Sequence, residues 1–261
     1  MYPMIRSLIL AMFLLSCVKS HVDGAPVIVD HANCNSIETA TAANIAALGK
    51  MKVFFAHASV GGNILSGMNE LHTQNPGQYP LSCEPAKESP ETTKDGSLYE
   101  YNRGNPGAEA KISIFAQCIR NGWHSPAVNV VINKFCYIDP DANFDNYIAS
   151  MSGIEKEYPS TRVVYVTIPI TTQKDAENLK RQKFNKRLRN WANQNNKVLF
   201  DLADIEAWSP DGKHQTYSLQ GNHVEAQCDE YSADGGHLNH QGQLRLAKAM
   251  YTLLAQLAAR P

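Results

Sequence analysis

The chain has 261 residues, a formal net charge of −1, 43% hydrophobic and 19% charged residues. That is enough apolar material for one sizeable core, and so even a charge balance gives nucleic acid or an anionic membrane surface nothing to hold. After the first twenty residues no stretch is apolar enough to span a bilayer.

Those first twenty residues are of another kind. Met1 to Arg6 is a short basic stretch and Ser7 to Val18 an apolar run, too short for a membrane span and right for a signal-peptide core. The expectation is a signal peptide over 1–20 and a protein exported to the periplasm, the outer membrane or the medium. Two processing routes fit. Leu14-Leu15-Ser16-Cys17 has the form of a lipobox, with 1–16 removed and a lipid anchor on Cys17, and Val18-Lys19-Ser20 offers a small-residue site for cleavage before His21. Beyond Cys17 the chain holds Cys34, Cys83, Cys118, Cys136 and Cys228. In an oxidising compartment this odd set predicts at least one disulfide, with Cys83 and Cys228, in the long loops, foremost.

In chain order, 21–50 is a lead-in ending in a helical tail over 40–48. Residues 51–55 (MKVFF) are a short apolar strand, His57-Ala58-Ser59-Val60-Gly61-Gly62 a turn, and 63–72 a helix with Ile64, Leu65, Met68 and Leu71 at helical spacing. Residues 74–96, rich in Pro, Gly, Ser and Thr, form a long loop. A strand over 97–101 closes on Arg103-Gly104-Asn105-Pro106-Gly107, and a helix covers 108–120. The apolar runs 127–132 and 162–168 are buried parallel strands, separated by a helix over 141–157. An amphipathic helix over 175–195 leads to the short strand 197–201. Its basic residues, from Lys180 to Arg189, are a solvated face. Residues 209–236 are polar and turn-rich, and 241–258 is the closing helix. Alternating strands and helices point to one domain over 51–261, a parallel sheet covered on both faces. In such a sheet the site lies beyond the carboxyl ends of the strands, where Ser59, the 104–107 loop and the 133–139 turn gather.

A serine at a strand–turn–helix junction is exposed by the turn and has the free backbone N–H groups of a helix N-terminus beside it, ready for an oxyanion. The same residue also reads as the cap of that helix. The motif Asp234-Gly235-Gly236-His237 sets a carboxylate three residues before a histidine, in a glycine loop tight enough for the acid to orient the imidazole. Together the two elements make a nucleophile, base and acid.

His57-Ala58-Ser59-Val60, Gly104-Asn105-Pro106-Gly107-Ala108 and Asp234-Gly235-Gly236-His237-Leu238-Asn239, with Gly242 and the closing helix, resemble the SGNH (GDSL-type) hydrolases over most of 51–258. The resemblance implies a flavodoxin-like three-layer α/β sandwich. It also implies Ser59 as nucleophile, His237 as base, Asp234 as the acid that orients it, and Ser59 with Gly107 as oxyanion donors. Two blocks depart from the pattern. His57-Ala58 stands where the family has Gly-Asp, and Lys134-Phe135-Cys136-Tyr137-Ile138-Asp139 replaces Gly-x-Asn-Asp. Counting from the strand brings Tyr137 to the place of the oxyanion asparagine, with Asn133 slightly too early. A substitute donor is expected, since losing one costs about 10²–10³ in rate.

No cofactor and no metal is expected. His214, His223, Cys228, Asp229, His237 and His240 match no common zinc spacing. Asp139-x-Asp141-x-Asn143-x-Asp145 lacks the glycine and glutamate of a calcium loop and reads as an acidic helix start. The expected partner is a small acyl ester, acetyl foremost, on a polysaccharide. The loops 74–96 and 209–236 would form the rim, with Tyr79, Tyr217, Tyr231 and Trp208 as stacking rings. A lipase or lysophospholipase, and a non-catalytic carbohydrate-binding protein on a hydrolase scaffold, are the rival readings.

Overall fold

The computed structural model describes residues 25–260; the signal segment, the lipobox and the cleavage site before His21 lie outside them. Seven strands form one parallel sheet: β1 Val27–Val29, β2 Lys52–His57, β3 Ser82–Pro85, β4 Ser97–Asn102, β5 Val130–Asn133, β6 Arg162–Val166 and β7 Val198–Phe200, in the spatial order β1-β7-β6-β5-β2-β4-β3. Alternation along the buried strands divides their side chains between two cores. Val53, Phe55, Val130, Ile132, Val164 and Phe200 face one side. There they meet α1 (Ala42–Leu48), α2 (Val60–Gln74) and the closing helix α7 (His240–Ala258). Phe54, Val131, Val163, Tyr165 and Leu199 face the other side, against α3 (Ala108–Arg120), α4 (Phe144–Glu157) and α5 (Ala176–Gln194). The fold is thus an α/β three-layer sandwich. A short helix α6 (Leu202–Ala207) and an antiparallel hairpin, β8 Thr216–Leu219 with β9 Asn222–Glu225, complete it.

The strand order places the site. β2 is flanked by β4 on one side and β5 on the other, so the loops leaving β2, β4 and β5 diverge around one crevice at their carboxyl ends. Those loops carry Ser59, Gly107 and Tyr137.

Several expectations need correction. The lead-in is no appendage, because β1 pairs with β7 and Val27 and Val29 are buried. The 74–96 loop contains β3, the sheet's edge strand. No disulfide forms among the described residues: Cys34, Cys83, Cys118, Cys136 and Cys228 are all free. The sheet itself keeps some of them apart, since Cys118 sits in one core and Cys34 and Cys228 in the other. The basic face of α5 is only partly solvated. Arg181 turns inward to the backbone carbonyl of Tyr137 at 2.6 Å, and Arg189 bridges Asp201 and Glu225. Asp139 does not start a helix but is buried in an ion pair with Lys111. No helix among the described residues is long and apolar enough to cross a membrane.

Candidate active site

β2 ends at His57 and α2 begins at Val60, leaving two residues to reverse the chain. Ser59 takes φ 53° and ψ −114° in that turn, a conformation costly for a residue with a β-carbon. The turn is tight because Gly61 lies against the preceding strand: a β-carbon on Gly61 would stand 2.4 Å from that of His57. Ser59 occupies the N-cap position of α2 without capping it through its side chain; its hydroxyl instead lies 2.6 Å from His237 Nε2.

His237 is held from the other direction. Its Nδ1 is 2.7 Å from Asp234 Oδ2, and its backbone N–H donates to Asp234 Oδ1 at 2.8 Å. The Gly236 N–H adds a third bond to the same carboxylate, at 3.1 Å. These bonds, led by the backbone one from His237, hold the Asp234 carboxyl down to about 2. Asp234 is therefore an anion across the physiological range, Nδ1 carries the hydrogen it donates to Asp234, and Nε2 is left as the acceptor for the Ser59 hydroxyl. Asn63, in the first turn of α2, accepts from the Leu238 N–H at 3.2 Å and ties the histidine loop to the serine turn. Gly235, at φ 98°, lets the Asp234 loop close against Gln173.

Gly107 stands immediately before α3 with φ 95°, a backbone state that suits glycine, and nothing lies within 4 Å of where its β-carbon would be. The loop after β5 supplies Tyr137, whose ring meets His237 edge-on at 5.4 Å. Asn133 is not in the site. It is buried in β5, with its amide against the Met151 sulfur at 3.9 Å. His57 is also buried, and its Nε2–H donates to Glu100 on the neighbouring strand at 2.7 Å. Burial, partly opposed by Glu100, lowers its pKa, so it braces the serine turn as a neutral ring.

The stacking rim does not assemble as expected. Tyr79 and Tyr231 are core residues; Tyr79 follows α2, which has carried the chain back to the far edge of the sheet, and packs on Tyr251. Trp208 is sandwiched between His31 at 4.0 Å and His214 at 4.6 Å, so both its faces are covered. Of the four rings only Tyr217 keeps some freedom, and its hydroxyl donates to the Asp175 carbonyl at 2.8 Å. The histidines weighed as metal ligands are also dispersed: His237 faces Ser59, His240 pairs with Glu70 and His214 stacks on Trp208.

Among solved structures, a Bacteroides fragilis protein with a provisional assignment as an acylhydrolase aligns with 83% of this chain and 93% of its own, at 15% identity and a TM-score of 0.51. The chain has the fold of the SGNH (GDSL-type) hydrolases. A Desulfitobacterium hafniense protein provisionally assigned to the lipolytic G-D-S-L family aligns with 78% of this chain and 99% of its own, at 11% identity and a TM-score of 0.46. No family model matches the sequence, and no curated protein does. On the SGNH-type fold the serine turn, the glycine loop and the Asp–His loop all occupy the carboxyl edge of the sheet. The segment from Lys134 to Asp139 presents a tyrosine there.

Proposed function

We propose that the protein is an exported serine esterase that removes small acyl groups, acetyl foremost, from a polar alcohol. The observation that carries this reading is the unbroken relay from Ser59 Oγ through His237 to Asp234, at 2.6 and 2.7 Å, starting from a strained serine at a helix N-terminus. In the forward step His237 Nε2 takes the Ser59 proton as Oγ bonds to the acyl carbon. The imidazolium is stabilised by Asp234 and returns the proton to the departing alkoxide. Water then repeats the sequence on the acyl-enzyme. Gly107 and the serine turn offer backbone N–H groups to the oxyanion.

The reading of a small acyl group draws on the surface around Gly107. A groove of about 350 Å³ runs between Pro106–Ala110 and Ile138–Ala142, next to Gly107 and Tyr137. Its one large apolar feature is Ile138, which is 52% exposed and the only exposed large hydrophobic residue among those described. The other apolar residues of the lining are small, Pro106, Ala108, Ala110, Pro140 and Ala142, which suits an acetyl or propionyl group better than a long chain. A carbohydrate leaving group keeps only Tyr217 of its four expected stacking rings. Acetate release from a panel of acetylated glycans is therefore the assay that identifies the alcohol.

The test of the reaction is hydrolysis of p-nitrophenyl esters of rising chain length. Activity should peak at two to four carbons, and Ser59→Ala should remove nearly all of it. His237→Ala should be about as damaging and Asp234→Asn milder. Full activity in Ser59→Ala overturns the assignment, and a maximum at eight carbons or longer favours the lipase reading.

A further inference from the structure

The loop over 133–139, where this chain departs from the SGNH pattern, is fixed with unusual thoroughness for an irregular segment. The Lys134 N–H continues the β2 ladder, donating to the Ala56 carbonyl at 3.1 Å. The Lys134 carbonyl accepts from buried Arg103 at 2.7 Å, and Lys134 Nζ donates to the Phe135 carbonyl at 2.8 Å. The Cys136 N–H donates to Asp139 at 2.8 Å, and Asp139 is locked by buried Lys111. Arg181 Nε, from α5, donates to the Tyr137 carbonyl at 2.6 Å. Three buried cations and one buried carboxylate therefore converge on the backbone that flanks a single half-buried tyrosine.

That tyrosine reaches the Asp234–His237–Ser59 relay. Its hydroxyl is 3.5 Å from His237 Nδ1, and the Ser59 hydroxyl is among the groups that act on it. Gly236 yields space for the ring, since a β-carbon there would stand 2.8 Å from Tyr137 Cζ and Cε1. Because Nδ1 already gives its hydrogen to Asp234, it cannot accept the phenolic one, which is left for an acceptor on the Ser59 side. Burial raises the phenol's pKa, which keeps it a donor at neutral pH.

We infer that Tyr137 donates its phenolic hydrogen to the oxyanion formed when Ser59 attacks an ester, in the place an asparagine amide would otherwise take. The assignment rests on the serine-esterase reading above. As Oγ bonds to the carbonyl carbon, the π pair moves to the carbonyl oxygen and the Ser59 proton passes to His237 Nε2. The phenol bonds to that oxygen, keeps its own proton and releases the oxygen when the alkoxide departs.

Tyr137→Phe removes the donor and keeps the ring. It should lower kcat for p-nitrophenyl acetate by about 10²–10³, with KM within a few-fold and an unchanged unfolding midpoint. A fluorophosphonate, whose P=O oxygen would occupy the same place as Oγ bonds to phosphorus and fluoride leaves, separates the two levels of the argument. Mass spectrometry should find it on Ser59 in the unsubstituted protein and at least ten-fold more slowly in Tyr137→Phe. Equal labelling rates overturn the tyrosine assignment alone; no labelling of Ser59 in the unsubstituted protein overturns the esterase reading and this assignment with it. Placing 3,5-difluorotyrosine at 137 leaves the packing almost untouched and makes the phenol more acidic. Activity should then be lost at a lower pH on the alkaline side, and an unmoved alkaline limb refutes the donor role.

Discussion

Helix α2 begins just after Ser59 and α7 three residues after His237, and the two helices meet at Gly67. A β-carbon on Gly67 would stand 2.4 Å from the Gln243 carbonyl oxygen, 2.7 Å from its carbon and 2.9 Å from Ala247 Cβ. Two of those atoms belong to the α7 backbone, so no flexible side chain can swing aside, and Gly67→Ala must part the helices by about 1 Å to restore van der Waals separation. Two energies oppose. Alanine gains about 1 kcal/mol of helix propensity over glycine, and overpacking costs about 1–3 kcal/mol, so a net loss of up to about 2 kcal/mol is expected. The effect on turnover is larger in proportion. Ser59 immediately precedes α2, His237 lies three residues before α7, and the 2.6 Å bond between them spans the two helix starts. A misplacement of about 1 Å at such a contact costs on the order of 10²-fold in rate. Denaturant unfolding and p-nitrophenyl acetate turnover measure the two effects on one preparation. Gly153→Ala on α4 is the control: nothing lies within 4 Å of its β-carbon position, so it should be stabilised by up to about 1 kcal/mol with turnover unchanged. Full activity in Gly67→Ala would refute the claim that the α2–α7 contact sets the geometry of the relay.

Two further outcomes follow from buried groups. Burial pushes the Glu206 carboxyl up to about 8 from 4.5; Lys134 and Arg181 are the cations that act on it, and the Ile170 N–H donates to it at 2.9 Å. Between those two values the unfolded chain loses this proton and the folded protein keeps it, so the group's contribution to stability falls as pH rises from about 4.5 to 8 and levels off above. Glu206→Gln should flatten that fall in a pH series of urea denaturations, and an unaltered slope would contradict it. The thiols should be unreactive in the folded protein: burial raises Cys34 and drives Cys83 and Cys228 up to about 12 and Cys118 to about 11, and Cys136 is shut away in the interior. Titration with a disulfide reagent should count five thiols from Cys34 to Cys228 only after unfolding, and fewer than five under denaturing, non-reducing conditions would show a bridge.

The elements with strong periodicity were legible in the sequence, and those without it were not. The helix from Ala108 to Arg120 and the buried strands β5 and β6 declare themselves by apolar runs and helical spacing. β1 has three residues, and it is a strand because β7 offers it a parallel edge, a tertiary fact with no local signature. β3 lies in a segment of proline, serine and threonine that reads as loop by composition; its partner β4 makes it a strand. The rim aromatics failed for a geometric reason. A helix of fifteen residues carries the chain about 22 Å, so Tyr79, just beyond its end, cannot share an edge with Ser59 at its start.

The triad and the third block differ in legibility for the same kind of reason. Asp234 and His237 are three residues apart in one glycine loop, so their mutual geometry is local and the motif displays it. The seat of Tyr137 is assembled from α3, α5 and the residues that immediately follow β4 and β5, and the residues that build it look wrong for the task. Lys111, Arg103, Lys134 and Arg181 are of types that normally face solvent, and nothing in their spacing says that they turn inward. Each becomes tolerable once buried because it meets a carboxylate or a backbone carbonyl, and burial still presses Arg103 down to about 10 and Lys134 to about 8. Charges that costly are kept where they hold something in place, and here they hold the backbone on either side of Tyr137. The buried cations therefore support the proposed role of Tyr137 as an oxyanion donor and weigh against the non-catalytic reading.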